Sequence, residues 1–273
     1  MRQLNGAELA DYMKERQAKQ VRHLRQSCGV VPKLVILRDS DNPVIGVYVR
    51  MKMAYGEDIG VEVEDRLVKT RQLAAEVERV NRDESVHGVI VQLPLVDPGM
   101  TDEVTSKIRG EKDVDGLGDG EMFDSATATA VTWLLAAYGV ELKGRKIAIV
   151  GYGKLVGAPL AQIWGASGYD LEVFRRKDAD RLATALKEFD VIVSATGVAG
   201  LITNEMVKEG AVVVDAGTAS EKGVIKGDVT EDVRARKDVM VTPKKGGVGP
   251  LTIVALFDGV LRATEYYREL TEN

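Results

Sequence analysis

The sequence predicts an α/β protein built from two domains. Helical and strand patterns alternate along the chain in two series, and a weakly patterned stretch rich in Asp and Gly separates them. A strand, a glycine turn and a helix follow one another at 145–157, as in dinucleotide-binding domains. The length of 273 residues fits two domains or one large one. Strands that alternate with helices form parallel sheets, so each series should build its own.

The first series consists of three helices and three strands in alternation. Charged residues interrupt the apolar positions of the first helix at helical spacing, the first strand is the short run KLVIL, and the second strand alternates apolar and polar residues. Gly60 should end the second helix and Pro94 should stop the third strand. The predicted helices are 7–27, 44–59 and 70–82, and the predicted strands are 33–37, 61–68 and 86–93.

The second series follows a short helix at 101–108, a hinge around 117–126 and a helix at 127–138. Apolar runs of four to six residues predict its strands, and glycines separate several of its elements. A glycine-rich turn at 246–249 precedes the last helix. The predicted strands are 145–150, 170–174, 190–194, 211–215 and 239–241, and the predicted helices are 156–165, 179–187, 204–207 and 251–268.

Composition excludes several classes of function. The net charge of −5 argues against a nucleic-acid partner, and no apolar run approaches the roughly 18 residues of a membrane span. One cysteine permits no intrachain disulfide, and two histidines with one cysteine predict no zinc site and no metal. The N-terminal segment lacks an apolar signal core, so we expect a cytoplasmic protein without a membrane partner.

The turn Gly151-Tyr152-Gly153-Lys154-Leu155-Val156-Gly157 is the candidate cofactor site. Glycines let the backbone approach a pyrophosphate, and the N–H groups at the start of the next helix bind its charge. A glycine-rich turn without a nucleotide is the alternative. The following strand ends in Arg175-Arg176-Lys177 rather than in an acid, which favours the 2′-phosphate of NADP over NAD. A solvated basic strand end is the competing interpretation.

Four segments elsewhere carry candidate substrate groups. Tyr48 and Lys52 share a helix face, and Gln92 ends a strand, where ligands of open α/β sheets bind. Desolvation near an amide would lower the pKa of Lys52 and suit proton transfer. A surface lysine beside a half-buried tyrosine, and a strand ended by proline, are the plainer interpretations. Asp113-Val114-Asp115-Gly116 is either a turn or a binder of an amino-heterocycle, and 246–250 is either a ligand platform or a helix cap.

The order of these motifs resembles the bifunctional methylenetetrahydrofolate dehydrogenase/methenyltetrahydrofolate cyclohydrolase family. The resemblance runs from Gly6 to the last helix and rests on YVxxK at 48–52, QLPL at 92–95, DVDG at 113–116 and GGVGP at 246–250. It implies a homodimer in which 1–125 with 251–273 bind folate and 126–250 form a Rossmann domain. It also implies NADP-dependent oxidation of 5,10-methylenetetrahydrofolate and hydrolysis of the product to 10-formyltetrahydrofolate.

The resemblance assigns roles to individual residues. Lys52 is the acid/base group of the hydrolysis, Tyr48 packs on the folate, Gln92 tunes the lysine and Asp115 binds the pterin. The remaining predicted substrate contacts are Leu93, Pro94, Gly247, Pro250 and Thr252. The predicted cofactor contacts are Gly151, Tyr152, Gly153, Lys154, Val156, Gly157, Arg175, Arg176, Thr196, Gly197, Asp215 and Gly217.

Departures from the family pattern keep two alternatives open. The Pro-x-Thr-Pro-x-Gly run is Ser125-Ala126-Thr127-Ala128-Thr129-Ala130 here, and the Gly-Arg-Ser of the nucleotide turn is Gly151-Tyr152-Gly153. Arg175 and Arg176 replace the lost arginine. A dehydrogenase with another substrate is one alternative, and a folate- or nucleotide-binding relative without hydride transfer is the other.

Overall fold

The computed structural model describes residues 3–120, 122–217, 219–221 and 224–272. Residues 1, 2, 121, 218, 222, 223 and 273, which the predicted domain ranges include, lie outside the described residues. Its strands are β1 Lys33–Arg38, β2 Glu62–Leu67, β3 Gly88–Val91, β4 Ile147–Val150, β5 Leu171–Phe174, β6 Val191–Ser194, β7 Val212–Asp215, β8 Ala219–Glu221, β9 Val224–Lys226 and β10 Met240–Val241. Its helices are α1 Gly6–Ser27, α2 Pro43–Ile59, α3 Leu73–Asn81, α4 Thr101–Thr105, α5 Ala126–Ala137, α6 Gly157–Ala166, α7 Ala179–Ala185, α8 Glu231–Ala235 and α9 Val248–Glu272.

The chain divides into two compact units. The first-series unit, named for the series of elements that it contains, comprises Asp11–Ala126 and Ile253–Asn273. The second-series unit comprises Met1–Ala10 and Thr127–Thr252. Helices α1, α5 and α9 each contribute residues to both units.

The first-series unit contains a three-stranded parallel sheet in the order β2-β1-β3. The central strand β1 pairs Leu34 with Gly88 and Leu37 with Val91. Its buried strand residues pack with apolar residues of α3 and α4, including Leu73, Val77 and Val104. The parallel pairing places the carboxyl ends of β1 and β3 side by side, and Gln92, Leu93 and Pro94 follow β3 at that edge.

The second-series unit contains a five-stranded parallel sheet in the order β10-β7-β6-β4-β5. The strand order reverses at β4, since the chain moves from β4 outward to β5 and then back across β4 to β6. Ligands of open α/β sheets bind at such a switch point, beyond the carboxyl ends of the strands. The predicted nucleotide turn directly follows β4 at this position.

The predicted elements agree with the structure in type and order, with several differences in detail. The strand predicted at 86–93 is only Gly88–Val91, the helix at 101–108 ends at Thr105, and the helix at 204–207 is a 3-10 turn, Asn204–Met206. The antiparallel pairing of β8 with β9 and the helix α8 were not predicted, because segments of three to five residues are too short to show a periodic pattern. No described helix is both long enough and apolar enough to cross a bilayer.

The last helix starts earlier than the sequence suggested. Gly246 adopts a left-handed conformation with φ of 80°, and α9 begins two residues later at Val248 rather than at 251. Pro250 therefore lies in the first helical turn, where a missing N–H group leaves no intrahelical bond unmade.

The N-terminal residues pack in the second-series unit. The Leu4 N–H group donates to the Val241 carbonyl oxygen at 3.1 Å, next to β10 of that unit. At Gly6 an added Cβ would lie 1.9 Å from the Gly247 carbonyl oxygen. This close approach explains why a glycine stands at the start of α1.

Candidate functional site

Helix α2 presents Tyr48 and Lys52 on one face, one turn apart. The helix is well defined at both ends, because the Asn42 side chain accepts a hydrogen bond from the Val44 N–H group and Gly60 adopts a left-handed conformation with φ of 88°. Near its end, Gly56 lies so close to Val63 of β2 that an added Cβ would be 2.3 Å from a methyl carbon. This packing fixes the height of α2 on the sheet, and with it the position of Lys52.

Lys52 and Gln92 contact each other, as the resemblance to the family implied. The Lys52 Nζ donates to the Gln92 Oε1 at 2.7 Å. The Gln92 amide nitrogen donates to the Leu93 carbonyl oxygen at 3.1 Å, which orients its oxygen toward the lysine. The Gln92 backbone N–H donates to the Leu37 carbonyl at 2.8 Å, so the residue extends the pairing at the end of β3.

The loop after Gln92 contains the predicted substrate residues Leu93 and Pro94. Their peptide bond is cis, Leu93 is partly buried and Pro94 is exposed. Asp39, just beyond the end of β1, accepts hydrogen bonds from the Val96 N–H group at 3.0 Å and from the Thr70 hydroxyl at 2.8 Å. Sequence reasoning missed Asp39, although an acid at a strand's carboxyl end was a usable signal.

The two acidic residues of the Asp113–Gly116 segment have different hydrogen-bonding environments. The Asp113 carboxylate accepts hydrogen bonds from the Gly118 N–H group at 2.7 Å and the Leu117 N–H group at 3.3 Å, so it holds the turn. The Asp115 carboxylate accepts no hydrogen bond from the described residues. Gly116 has φ of 62°, and an added Cβ would lie 2.7 Å from the Phe123 carbonyl oxygen. The turn interpretation thus holds for Asp113 and leaves Asp115 available to a ligand.

Burial controls the ionisation of this site. Desolvation lowers the pKa of Lys52 from its usual value, while the charge of Asp115 opposes that shift. Desolvation likewise raises the pKa of Asp115, and Lys52 opposes it. Burial raises the pKa of Asp113 to about 6 despite its backbone hydrogen bonds. A lowered pKa makes the ammonium group a stronger acid and the neutral amine more accessible, as acid/base catalysis requires.

The nucleotide turn in the second-series unit has the close approaches that its glycines suggested. Gly151 has φ of 101°, and an added Cβ would lie 2.4 Å from the Ala195 carbonyl oxygen. An added Cβ at Gly157 would lie 2.2 Å from the Gly151 carbonyl oxygen. Gly153 has open space around it. The turn is therefore tight at both ends, and its open middle can admit the phosphates of a dinucleotide before the first turn of α6.

The other predicted cofactor residues surround the same sheet edge. Arg175 and Arg176 are exposed directly after β5, and Thr196 and Gly197 follow β6. Tyr152 is exposed, Lys154 and Val156 are partly buried, and Gly217 lies in the loop after β7. The structure thus places all the predicted cofactor residues at or after the carboxyl ends of β4 to β7.

The Asp215 carboxylate makes more contacts within the protein than a ligand-binding role suggests. Its carboxylate accepts hydrogen bonds from the N–H groups of Gly217, Asp228 and Val229, each at 3.1 Å, and forms an ion pair with Arg234. Burial nevertheless raises its pKa. These contacts fold the loop after β7 against Asp228, so the structure supports a role for Asp215 in shaping the cofactor edge.

Asp228 receives no role from the sequence motifs. It is fully buried, and its Oδ2 accepts hydrogen bonds from the Ser194 hydroxyl at 2.7 Å and from the Thr196 N–H and hydroxyl groups at 2.7 and 2.9 Å. An added Cβ at Gly217 would lie 2.0 Å from the Asp228 Oδ1. Asp228 therefore fixes the Thr196 loop, and its neighbouring glycine was the available signal.

Gly247, Pro250 and Thr252, which the sequence assigned to the substrate, belong to the second-series unit. Gly247 is buried against Thr242, whose side chain an added Cβ would approach to 3.1 Å. The Thr252 hydroxyl donates to the Val248 carbonyl oxygen at 3.4 Å. Among the described residues, no group of three or more His, Cys, Asp or Glu side chains could hold a metal ion.

Comparison with known proteins decides the family. Residues 4–115 match the catalytic domain of tetrahydrofolate dehydrogenase/cyclohydrolase, and residues 125–268 match the NAD(P)-binding domain of the same enzymes. The chain belongs to the tetrahydrofolate dehydrogenase/cyclohydrolase family. Family membership confirms the resemblance drawn from the motifs, and it makes this chain a methylenetetrahydrofolate dehydrogenase and methenyltetrahydrofolate cyclohydrolase.

Individual members of the family match over nearly their whole length. The bifunctional protein FolD of Lactobacillus acidophilus is 32% identical over 274 residues, which cover 96% of each chain. The crystal structure of FolD from Campylobacter jejuni superposes with a TM-score of 0.90 at 33% identity and covers 97% of this chain and 99% of that one. The Trypanosoma brucei enzyme, solved with NADP cofactor and an inhibitor, has a TM-score of 0.88 at 30% identity, with 96% of each chain covered.

Proposed function

We propose that Lys52 is the acid/base group with which this tetrahydrofolate dehydrogenase/cyclohydrolase hydrolyses 5,10-methenyltetrahydrofolate. The hydrogen bond of 2.7 Å between the Lys52 Nζ and the Gln92 Oε1 carries the proposal. It holds the half-buried amine at the carboxyl end of the sheet, where burial lowers its pKa. Gln92 acts through the lysine and is a positioning residue. Tyr48, one turn earlier on the same face, offers its ring to the folate.

The proton balance of the hydrolysis fits one lysine. Neutral Lys52 accepts a proton from water as the water oxygen bonds to the methenyl carbon, which gives a neutral tetrahedral carbinolamine. The Lys52 ammonium group then returns this proton to N5 as the bond between carbon and N5 breaks. The hydroxyl group becomes the formyl oxygen and releases its proton to solvent, so that 10-formyltetrahydrofolate and one proton leave.

The cofactor of the preceding oxidation is NADP. When bound, its nicotinamide accepts the hydride of 5,10-methylenetetrahydrofolate. Three observations support this choice: the turn at Gly151 and Gly157 leaves room for phosphates but not for side chains, two arginines stand exposed after β5, and no acid occupies that strand end to read a 2′-hydroxyl. The Trypanosoma brucei relative was solved with NADP.

The substrate contacts follow from the same geometry. We assign the pterin to the Asp115 carboxylate, to which no described residue donates a hydrogen bond, and the pocket wall to Leu93 and Pro94, which follow Gln92 at the end of β3. Gly247, Pro250 and Thr252 remain proposed substrate residues. We assign folate binding to 1–125 with 251–273 and NADP binding to 126–250, with residues 3–10 packed in the latter unit.

The assembly and setting of the enzyme are also proposals. A homodimer is supported by Val47 and Met51, which are 40% and 44% exposed one turn apart on α2, and by the edge strand β2 with its exposed Leu67. A cytoplasmic location is supported by the single cysteine, Cys28, which is free. The product carries a formyl group of the kind that purine biosynthesis consumes.

A substitution of Lys52 tests the proposed function. Lys52→Met should abolish the conversion of methenyl- to 10-formyltetrahydrofolate, measured by the near-ultraviolet absorbance of the methenyl compound, while folate still binds by calorimetry. Lys19→Met, at an exposed lysine on α1, is the matched control and should leave hydrolysis unchanged. Normal hydrolysis in purified Lys52→Met would refute the assignment.

A further inference from the structure

An aromatic ring and a guanidinium group stack at the rim of the nucleotide turn. The Arg175 Cζ lies 3.9 Å from the centroid of the Tyr152 ring. Tyr152 is 45% exposed, a large fraction for an aromatic side chain, and Arg175 is exposed as well. At this distance the planar guanidinium lies on the face of the ring, which is the favourable geometry for a cation and an aromatic quadrupole.

The backbone brings these two side chains together. Strands β4 and β5 pair in parallel with Val150 opposite Phe174, and the Gly151 N–H donates to the Phe174 carbonyl oxygen at 2.8 Å. The residue after Gly151 and the residue after Phe174 therefore leave the sheet side by side. The left-handed conformation of Gly151 turns the chain sharply, and Tyr152 emerges beside Arg175.

The stacked arginine keeps its donors free. In the described part of the chain, no carboxylate pairs with the Arg175 guanidinium, and no acceptor bonds to it. The acids beside it are engaged by Arg181, which forms ion pairs with Glu172 at 2.6 Å and with Asp178 at 3.2 Å. Asp178 also accepts the Arg175 backbone N–H at 2.9 Å. A guanidinium held by its face presents its N–H edge outward, ready for a bidentate anion.

We propose that Tyr152 is a positioning residue for cofactor specificity: its ring holds Arg175 flat, with the N–H edge directed to the 2′-phosphate of NADP. The inference rests on the proposed use of NADP. It explains how an arginine after β5 recognises this phosphate without an acid to orient it. A freely rotating arginine would lose more side-chain entropy on binding the phosphate than an arginine whose rotation the ring already restricts.

Calorimetric titration of the full-length protein with two cofactor fragments tests the inference. The probes are 2′,5′-ADP, which carries the 2′-phosphate, and 5′-AMP, which lacks it. Tyr152→Ala should weaken 2′,5′-ADP binding by about two- to fivefold, the value of a cation–π contact at an exposed site. It should weaken 5′-AMP binding less than 2′,5′-ADP binding, because 5′-AMP lacks the phosphate that Arg175 binds. Tyr152→Phe, which keeps the ring, should bind both probes as the unmodified protein does.

A double-mutant cycle separates positioning from general stability. In an Arg175→Ala background, which itself should weaken 2′,5′-ADP binding, the Tyr152→Ala change should have no further effect, because there is no guanidinium left to hold. Equal losses for both probes, equal behaviour of the Phe and Ala variants, or additive losses in the cycle would each overturn the inference. If the unmodified protein shows no preference for 2′,5′-ADP over 5′-AMP, the use of NADP is itself refuted and the inference is overturned with it.

Discussion

Replacing Gln92 by Glu should move the pH profile of the hydrolysis. The new carboxylate would stand where the Gln92 Oε1 now accepts from the Lys52 Nζ at 2.7 Å. An opposite charge at this distance shifts a pKa by about 1–3 units toward the charged form, or about 1.4–4 kcal/mol. The pKa of Lys52 should therefore rise. Since the lysine must be neutral to accept a proton from water, the acid limb of the rate profile should move to higher pH by the same amount.

The assay follows the loss of methenyltetrahydrofolate absorbance over a range of pH, under single-turnover conditions with the enzyme in saturating excess over substrate. Below the acid limb, Gln92→Glu should be about 10- to 1000-fold slower than the unmodified enzyme, and the two rates should converge at high pH. Gln92→Met, which has a similar shape but no acceptor, should move the limb in the opposite direction. Hydride transfer releases no proton and should change little in either variant. Identical pH profiles for the two variants would show that Gln92 does not tune Lys52.

Two further predictions concern binding and stability. Asp115→Ala should raise the KM for folate at least about tenfold in both activities together, because a hydrogen bond to a charged group contributes about 1.5–3 kcal/mol. The control Asp119→Ala, at an exposed acid in the same loop, should change neither activity. Loss of one activity alone would make Asp115 a structural residue. Burial lowers the pKa of His87 to about 4 from 6.5, so the free energy of unfolding should fall by about 2–3 kcal/mol as the pH drops from about 7 to 4.5. Between these pH values the free energy of unfolding of His87→Asn, measured with denaturant, should fall by about 2–3 kcal/mol less than that of the unmodified protein, and an equal fall would contradict the burial argument. Asp113, whose raised pKa of about 6 has the opposite effect on stability, is present in both proteins and cancels in the comparison.

The position of Lys52 shows which features of the site can be predicted from local sequence patterns. Asn42, Pro43 and Gly60 mark the ends of α2 in the sequence, and helical spacing then puts Tyr48 and Lys52 on one face. The contact with Gln92, 40 residues later, was implied only by the resemblance to the family, because no local pattern places α2 against the end of β3. What the spacing alone could not provide was the depth of burial, which sets the direction of the pKa shifts.

The distinction between Asp113 and Asp115 was decided by tertiary structure. The two aspartates are separated by one residue, and nothing in DVDG shows which of them holds the turn. Backbone N–H groups of Leu117 and Gly118 occupy the Asp113 carboxylate, and none reaches that of Asp115. The start of α9 at Val248 has a similar origin, since packing of Gly247 against Gly6 and Thr242 outweighs the poor helix propensity of glycine.

The sequence by itself determined most of the order of strands and helices and the two parallel sheets, because hydrophobic periodicity and glycine turns are local properties of the chain. The family followed from the resemblance of its motifs to those of known enzymes. The network of Asp215, Asp228 and Arg234 and the stack of Arg175 on Tyr152 appeared only in the folded chain. Both depend on which side chains meet across strands far apart in sequence. The partners of a buried charge are the groups that the fold brings within hydrogen-bonding distance, and sequence periodicity does not encode which groups these are.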